Sequence, residues 1–569
     1  MRESIRVDLD ISYVRGADSP PLLESTLGQA LELALKCWPE REAIVACESG
    51  VRMSYAQLNA AVDEFGAGLL SLGLKPGQRI GIWSPNCAEW AVTQYAAAKA
   101  GLILVNINPA YRKHELEFVL NKVGCSALVS AARFKTSDYL SMLCELAPEL
   151  ASCEPGTLSA RKLPMLKLVI GIEAAELRGL VPFATVANRA RESDRKALRE
   201  IASHLRPRDP VNIQFTSGTT GSPKGATLTH HNVLNNSLFV GEAIGTALGD
   251  RICIPVPLYH CFGMCMGNLN CLTHGAAAVY PSPGFDPLAT LSSVQQEKCT
   301  ALYGVPTMFI AMLDHPRFKE FDLSSLRGGI MAGSPCPIAI MQRVVDEMHM
   351  PEVTIAYGMT ETSPVSFQSS VDDSLELRVR TVGRIQPHLE VKLIDALGNT
   401  VPRGSSGELC TRGYSVMQGY WEDAARTAEV LDSEGWMHTG DLAVLDEAGY
   451  CNIVGRIKDM IIRGGENIYP REVEEFLFTH PKVLGVSCFG VPDARYGEAL
   501  CAWIVLRPGD RASAEEIRQH CEGEIAHYKV PRYIVFVDEF PMTVTGKIQK
   551  FIMRDVMIER LGLTVERTA

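Results

Sequence analysis

Residues 215–225 read FTSGTTGSPKG, a run dense in hydroxyls and glycines that ends on a lysine. Thr216, Ser217, Thr219, Thr220 and Ser222 offer hydroxyl donors, while Gly218, Gly221 and Gly225 let backbone amides approach an anion. Lys224 adds a cation. Pro223 removes one amide donor and stiffens the segment, so this is a phosphate-touching loop of a different design from the G-x-x-x-x-G-K-[ST] cradle. Taken alone, the same run is equally a polar surface turn.

Four further stretches could join it. In IAYGMTETSP (355–364), Tyr357, Gly358, Thr360 and Glu361 follow an apolar run. A ring there can stack on a purine and a carboxylate can hold Mg²⁺ against phosphate oxygens; singly they read as a core aromatic and a solvated acid. HTGD ends in Asp441, whose two oxygens could accept both hydroxyls of a ribose, although an isolated turn aspartate is the plainer reading. VGRIKDMIIRGGENIYP (454–470) carries Arg456 and Lys458, and its Gly464 and Gly465 would let a thin ligand pass close to backbone. Lys547 stands in PMTVTGKIQK near the carboxyl end, where a lone surface lysine means nothing.

Elements that could position these residues alternate between strand and helix patterns. RIGIW (79–83), LILVNI (102–107), ALYGV (301–305), GGIMAG (328–333) and VTIAYG (353–358) are short apolar runs bounded by Gly, Pro or Asn. Between them lie amphipathic stretches such as PIAIMQRVVDEM, where Ile338, Met341, Val345 and Met348 recur at helical spacing. This α/β alternation predicts parallel sheets covered by helices, with ligands gathered at strand C-termini. After about residue 380, EVKLID, GELCTRG and YCNIVGR alternate with Gly-rich turns and predict an antiparallel β subdomain. A smaller α+β unit follows. Its first helix should begin at Pro470, carry Glu472, Glu474 and Glu475 toward its N-terminal dipole end and close before Pro481. Residues 148–208 yield no placement.

Bulk properties exclude several classes. At 569 residues, with 46% hydrophobic and 21% charged side chains, the chain is globular rather than disordered. A net charge of -11 argues against a nucleic-acid partner. No apolar run reaches the ~20 residues needed to span a bilayer, and MRESIRVDLD fits neither a secretory signal nor a transit peptide. A cytoplasmic protein is expected. Seventeen cysteines occur without a CxxC pair; Cys261, Cys265 and Cys271 with His260 and His274 could be imagined on zinc, but buried free thiols are the better reading.

TSGTTGSPKG, YGMTET, TGD, GR.KD...GGENIYP and TGKIQK, in that order, resemble the adenylate-forming superfamily of acyl-CoA synthetases, firefly luciferase and peptide-synthetase adenylation domains. SPNCAEW, NINPAYRKHELEF, PLYHCFG and GYSVMQGYW extend the resemblance to nearly the whole chain, which looks most like medium-chain fatty acyl-CoA synthetases. It implies a large AMP-binding domain over 1–457, with its β subdomain at about 380–457, and a small mobile domain over 458–569. It also implies ATP, Mg²⁺ and coenzyme A: a carboxylate attacks the α-phosphorus of ATP, pyrophosphate leaves, and the thiol of coenzyme A then displaces AMP.

On that resemblance the 216–224 loop grips the leaving pyrophosphate, and Glu361 with Thr216 holds Mg²⁺. Gly358 and Thr360 flank the nucleotide beside Tyr357, the adenine stacker, with Gly333 as pocket wall. Asp441 and Arg456 bind the ribose, and Lys458 is the hinge. Lys547 bridges α-phosphate and carboxylate; the Gly464–Gly465 face replaces it in the thioester step, and His260 stands between acyl and adenylate sites. Phe262, Gly263, Met264, Gly267 and Met331 are candidate acyl-pocket residues or plain core. An amino-acid substrate lacks an acidic anchor in PLYHCFGMCMGNLN. RGGENIYP favours coenzyme A use over an acyl-AMP-only enzyme, and Lys547 speaks against a non-catalytic nucleotide-binding regulator. Branched, terpenoid and aromatic acids stay open, as does a homodimer.

Overall fold

The computed structural model describes residues 5–173, 177–216, 223–334, 336–463, 466–493, 495–543 and 548–563. Two large sheets dominate. In the first, strands Leu180–Pro182, Leu168–Gly171, Cys125–Ser130, Arg79–Trp83, Ile103–Asn106 and Pro210–Thr216 run parallel, and Lys224–Thr229 and Gly419–Tyr420 add antiparallel to one edge. In the second, Glu352–Gly358, Gly328–Ala332, Ala301–Gly304, Arg251–Cys253, Ala277–Tyr280 and Glu42–Ala46 are parallel, with antiparallel strands at both ends.

Parallel strands are buried on both faces, which is why they read as continuous apolar runs. Ile80, Ile82 and Leu104 of the first sheet share one buried cluster with Ile44, Ala278 and Tyr280 of the second. Trp83, Ile103 and Val105 face a different cluster, with Leu116 and Tyr139. Helix Ala88–Lys99 lies within the shared layer and is buried almost all round. Its Lys99 is tolerated there because Nζ donates to Asn59 Oδ1 at 2.8 Å and to Asp63 Oδ1 at 2.7 Å. No helix among the described residues is long and apolar enough to cross a membrane.

The antiparallel subdomain is a six-stranded sheet built from Leu389–Ile394, Gly407–Gly413, Met437–Leu445 and Cys451–Arg456. Two departures from the sequence reading occur here. Its other edge comes from the chain's beginning, Arg6–Val7 and Tyr13–Arg15, and Gly419–Tyr420 leaves it to pair with Ala226 and Thr227 of the first large sheet. Pairing over such sequence distances leaves no local periodicity to read.

The final unit is a mixed sheet of Ile461–Arg463, Glu466–Ile468, Val483–Asp493, Gly497–Leu506 and Tyr533–Phe536 with helices Pro470–Leu477, Ala514–Cys521 and Lys550–Leu561. The first of those helices starts on Pro470 and ends before Pro481, as its composition predicts. Helix Ile338–Glu347 also forms, but Ile338 is exposed, and Met341, Val344 and Met348 make the buried face. Ile338 is the first helical residue, ahead of the packed turns. Residues 148–208 prove to supply strands Leu168–Gly171 and Leu180–Pro182 and helix Glu192–His204.

Candidate active site

The glycine-rich loop joins two antiparallel strands in which Thr216 is the direct register partner of Lys224. The pairing brings both ends of the loop together at one sheet terminus. Beside it, Thr216 Oγ1 donates to Glu361 Oε1 at 3.4 Å, and Tyr420 Oη donates to the same oxygen at 2.8 Å. Lys224 Nζ lies 5.0 Å from the Tyr420 ring centroid. Glu361 is buried, and a buried carboxylate is costly unless compensated. Burial and the Glu361 charge together push the Tyr420 hydroxyl far up, so it stays a donor.

This donor set fits Mg²⁺. Both hydrogen bonds fall on one carboxylate oxygen, the neighbouring groups are hydroxyl oxygens, and the cation takes hard oxygen ligands through one or two carboxylates while keeping several waters. Tyr420 went unnoticed in the sequence because a tyrosine in GYSVMQGYW carries no signal of what it will touch. Glu361 itself sits in a one-turn helix, Thr360–Thr362, with Thr360 buried beside it. Gly358, which ends the preceding strand, admits no side chain: an added Cβ would stand 1.7 Å from the Pro364 carbonyl oxygen.

A second cluster forms where Tyr357, at the C-terminal end of strand Glu352–Gly358, donates to Asp441 Oδ2 at 2.6 Å. Arg456 Nε meets the other oxygen, Asp441 Oδ1, at 3.0 Å, and the two residues are register partners on adjacent strands. Burial first, and then the Asp441 charge, raise the Tyr357 hydroxyl well above the ordinary phenol range. Asp441's two oxygens are therefore already engaged, and ribose hydroxyls would share them through the remaining lone pairs. Glu408 braces the turn before it, accepting from Gly440 N at 3.2 Å through Oε1, while Oε2 lies 3.3 Å from His438 Nδ1. Gly333 follows strand Gly328–Ala332 at φ +93°, a backbone that favours glycine.

His260 is half-buried beside a buried π-helix, Phe262–Leu269, a form of helix that often accompanies function. Its Nδ1 accepts from Phe262 N at 3.2 Å. The cysteines around it are free thiols engaged as donors: Cys261 Sγ lies 3.2 Å from Gln214 Oε1, and Cys265 Sγ lies 3.1 Å from the Val233 and Ser363 carbonyls. Phe262 stacks on Tyr303 at 5.7 Å, and Cβ atoms added at Gly263 or Gly267 would stand 2.4 Å from Pro257 O and 2.9 Å from Ile254 Cδ1. Met331 lies on the other side. Strand alternation turns Ile330 and Ala332 into the central cluster with Phe262 and Met264, and Met331 into the outer one with Leu302 and Phe309.

Strand Cys451–Arg456 leads into the one-turn helix Ile457–Asp459, and Arg471 Nη1 of helix Pro470–Leu477 donates back to Ile453 O at 2.6 Å. Lys458 is held below the usual lysine range by desolvation first and then by the positive charge of Arg456, with Lys224 adding to the effect. Ser217, Gly218, Thr219, Thr220, Gly221, Ser222, Gly464, Gly465 and Lys547 lie outside the described residues. Pro223 and Lys224 lie within them.

Comparison with known proteins gives concordant likenesses. The AMP-binding enzyme family matches residues 31–421, and the AMP-binding enzyme C-terminal domain matches residues 472–547. A relative from Danio rerio, named medium-chain acyl-CoA ligase ACSF2, mitochondrial, is 48% identical over 98% of this chain and 92% of its own. A putative acyl-CoA synthetase, YngI, of Bacillus subtilis is 46% identical over 95% of this chain and 99% of its own. Among solved structures, the anthranilate CoA ligase AuaEII in complex with anthranoyl-AMP aligns with a TM-score of 0.84 at 26% identity, covering 96% of this chain and 99% of that one. The Mycobacterium tuberculosis fatty acyl CoA synthetase aligns at 0.72 and 27% identity, covering 94% and 99%.

Proposed function

The chain belongs to the AMP-binding enzyme family, and on that premise we propose how its residues divide the work of joining a fatty acid to coenzyme A. It is an ATP-dependent, AMP-forming acyl-CoA ligase that acts through an acyl-adenylate. In the first step a carboxylate oxygen bonds to the α-phosphorus while the bond to pyrophosphate breaks. In the second, the sulfur of coenzyme A bonds to the acyl carbon, AMP leaves, and the thiol proton goes to solvent.

The reading is carried by one observation: Thr216, Lys224, Tyr420 and Glu361 converge at the two ends of the phosphate-type loop. Lys224 and the 217–222 hydroxyls and amides would screen the leaving pyrophosphate, whose charge otherwise repels the incoming carboxylate. Glu361 with Thr216 would hold Mg²⁺, which supplies charge neutralisation at the phosphates. Tyr357, fixed in orientation by Asp441, would present its ring to adenine between Gly333 and the Gly358–Thr360 turn, and Asp441 with Arg456 would take the ribose. His260 would stand at the junction of acyl and adenylate sites. Lys547 would neutralise the α-phosphate during adenylation. Division at residues 457/458, with Lys458 as hinge and Gly464 and Gly465 on the coenzyme A face, completes the proposal.

The acyl substrate is proposed to be a medium- to long-chain fatty acid, after the names of the relatives. An aromatic acid is the second reading, favoured by the likeness to the anthranilate ligase. Cytoplasmic residence is also a proposal, set against a relative named mitochondrial and decided by fractionation; a homodimer is tested by sedimentation. One panel of straight, branched, terpenoid and aromatic acids, scored by AMP formation with and without coenzyme A, tests the whole. Fatty acids should lead. AMP formation confined to aromatic acids would overturn the substrate assignment, and none with any acid would overturn the activity.

A further inference from the structure

Asn212, Gln214 and Thr216 lie on one face of strand Pro210–Thr216, alternating with Ile213 and Phe215, which pack with the cluster of Trp83, Ile103 and Tyr139. Gln214 is 3% exposed, and its Nε2 amide has no hydrogen-bond partner among the described residues. Its Oε1 lies 3.2 Å from Cys261 Sγ, with the thiol as donor. With the thiol donating to the amide oxygen, Nε2 is the end left to donate elsewhere. Asn106, the register partner of Gln214 on the neighbouring parallel strand, donates through Nδ2 to Tyr259 O at 3.0 Å. Two adjacent amides on the sheet therefore hold the residues immediately before and after His260.

A buried N–H₂ without an acceptor has given up its hydration uncompensated, and since none of the described residues accepts from it, such a group asks for a partner. Two residues further along the same face stands Thr216, at the phosphate loop; beside it stands the His260 segment. We propose that Gln214 is a substrate-binding residue whose Nε2 donates to the acyl oxygen of the carboxylate and of the acyl-adenylate, with Cys261 orienting the amide and Asn106 fixing the opposite side of His260. The inference rests on the acyl-adenylate reading and deepens it by naming what recognises the reacting carboxyl group rather than the alkyl chain. The donor is neutral. It serves the carboxylate as it approaches and the carbonyl oxygen as negative charge develops on it during thiol attack.

The test uses the full-length enzyme carrying Gln214→Leu, and in parallel Gln214→Met, which keeps the length and flexibility of the side chain without a donor. Two ligands are titrated by calorimetry: a decanoyl-sulfamoyl-adenosine, which carries the acyl oxygen, and sulfamoyl-adenosine, which does not. Either variant should lose about tenfold in affinity for the acylated ligand and none for the parent, the loss expected for one hydrogen bond. Kcat/KM for decanoate should fall by a similar factor while KM for ATP stays put. Thermal stability without ligand should hold, since removal of the unsatisfied donor offsets loss of the weak S–H···O bond from Cys261. Equal affinities of variant and wild type for the acylated ligand, or equal losses for both ligands, would overturn the role of Gln214 while leaving the ligase reading intact. A wild-type protein that binds neither ligand and forms no AMP would overturn both.

Discussion

The hydroxyl of Tyr357 donates to Asp441 Oδ2 at 2.6 Å, tying the strand that ends in the proposed adenine stacker to the strand that bears the proposed ribose ligand. Neither residue is independent of the other. Asp441→Ala should raise the KM for ATP at least tenfold, the scale of a hydrogen bond to a charged group, and Tyr357→Phe should raise it less because the ring remains. Steady-state pyrophosphate release over an ATP series checks this; a variant with unchanged ATP dependence would remove Asp441 from the nucleotide site.

Glu361 accepts from Thr216 and Tyr420 on one oxygen, so Glu361→Gln keeps both bonds and the shape while removing the charge. The Mg²⁺ needed for half-maximal adenylation should rise tenfold or more, and the folded state should survive. A Mg²⁺ titration of pyrophosphate release decides it. An unchanged requirement would place the metal elsewhere.

Lys547→Ala should slow adenylation by roughly 10²- to 10³-fold, as loss of a preorganised charge at a developing anion does. Thioester formation from supplied acyl-adenylate and coenzyme A should be spared. Equal loss of both half-reactions would refute a role confined to the first.

His230 accepts from Leu27 N at 3.2 Å through Nδ1, and burial, partly offset by Asp209, lowers its pKa from 6.5 to about 4. Between those values the unfolded chain binds a proton that the folded one does not, so stability is fully present above pH 6.5 and is lost as pH falls toward 4. The loss amounts to at most about 3 kcal/mol at 1.36 kcal/mol per pKa unit. His230→Asn, whose side-chain oxygen can take the Leu27 bond, should flatten that part of the urea-midpoint profile; identical slopes in wild type and variant would show that another group titrates.

The parallel strands were legible because burial on both faces writes an uninterrupted apolar run, and helix Pro470–Leu477 because Pro, Glu and a second Pro mark its ends. Ile338 misled because periodicity tells which residues share a face, not where along the helix the covering layer begins. Met331 and the acyl-pocket reading blurred for a related reason. An apolar residue looks the same in sequence whether it lines a ligand or a sheet's far side.

What the sequence alone determined was the class of chemistry, through ordered motifs whose residue types suit a polyphosphate, a ribose and a purine. Tertiary structure decided which of those residues meet. Tyr420 reaches Glu361 across 59 positions, Tyr357 reaches Asp441 across 84, and Cys261 reaches Gln214 across 47, each through long-range strand or loop placement. Side-chain identity is local and can be read off a chain, whereas a hydrogen bond between distant segments exists only once burial of apolar faces has brought their backbones together.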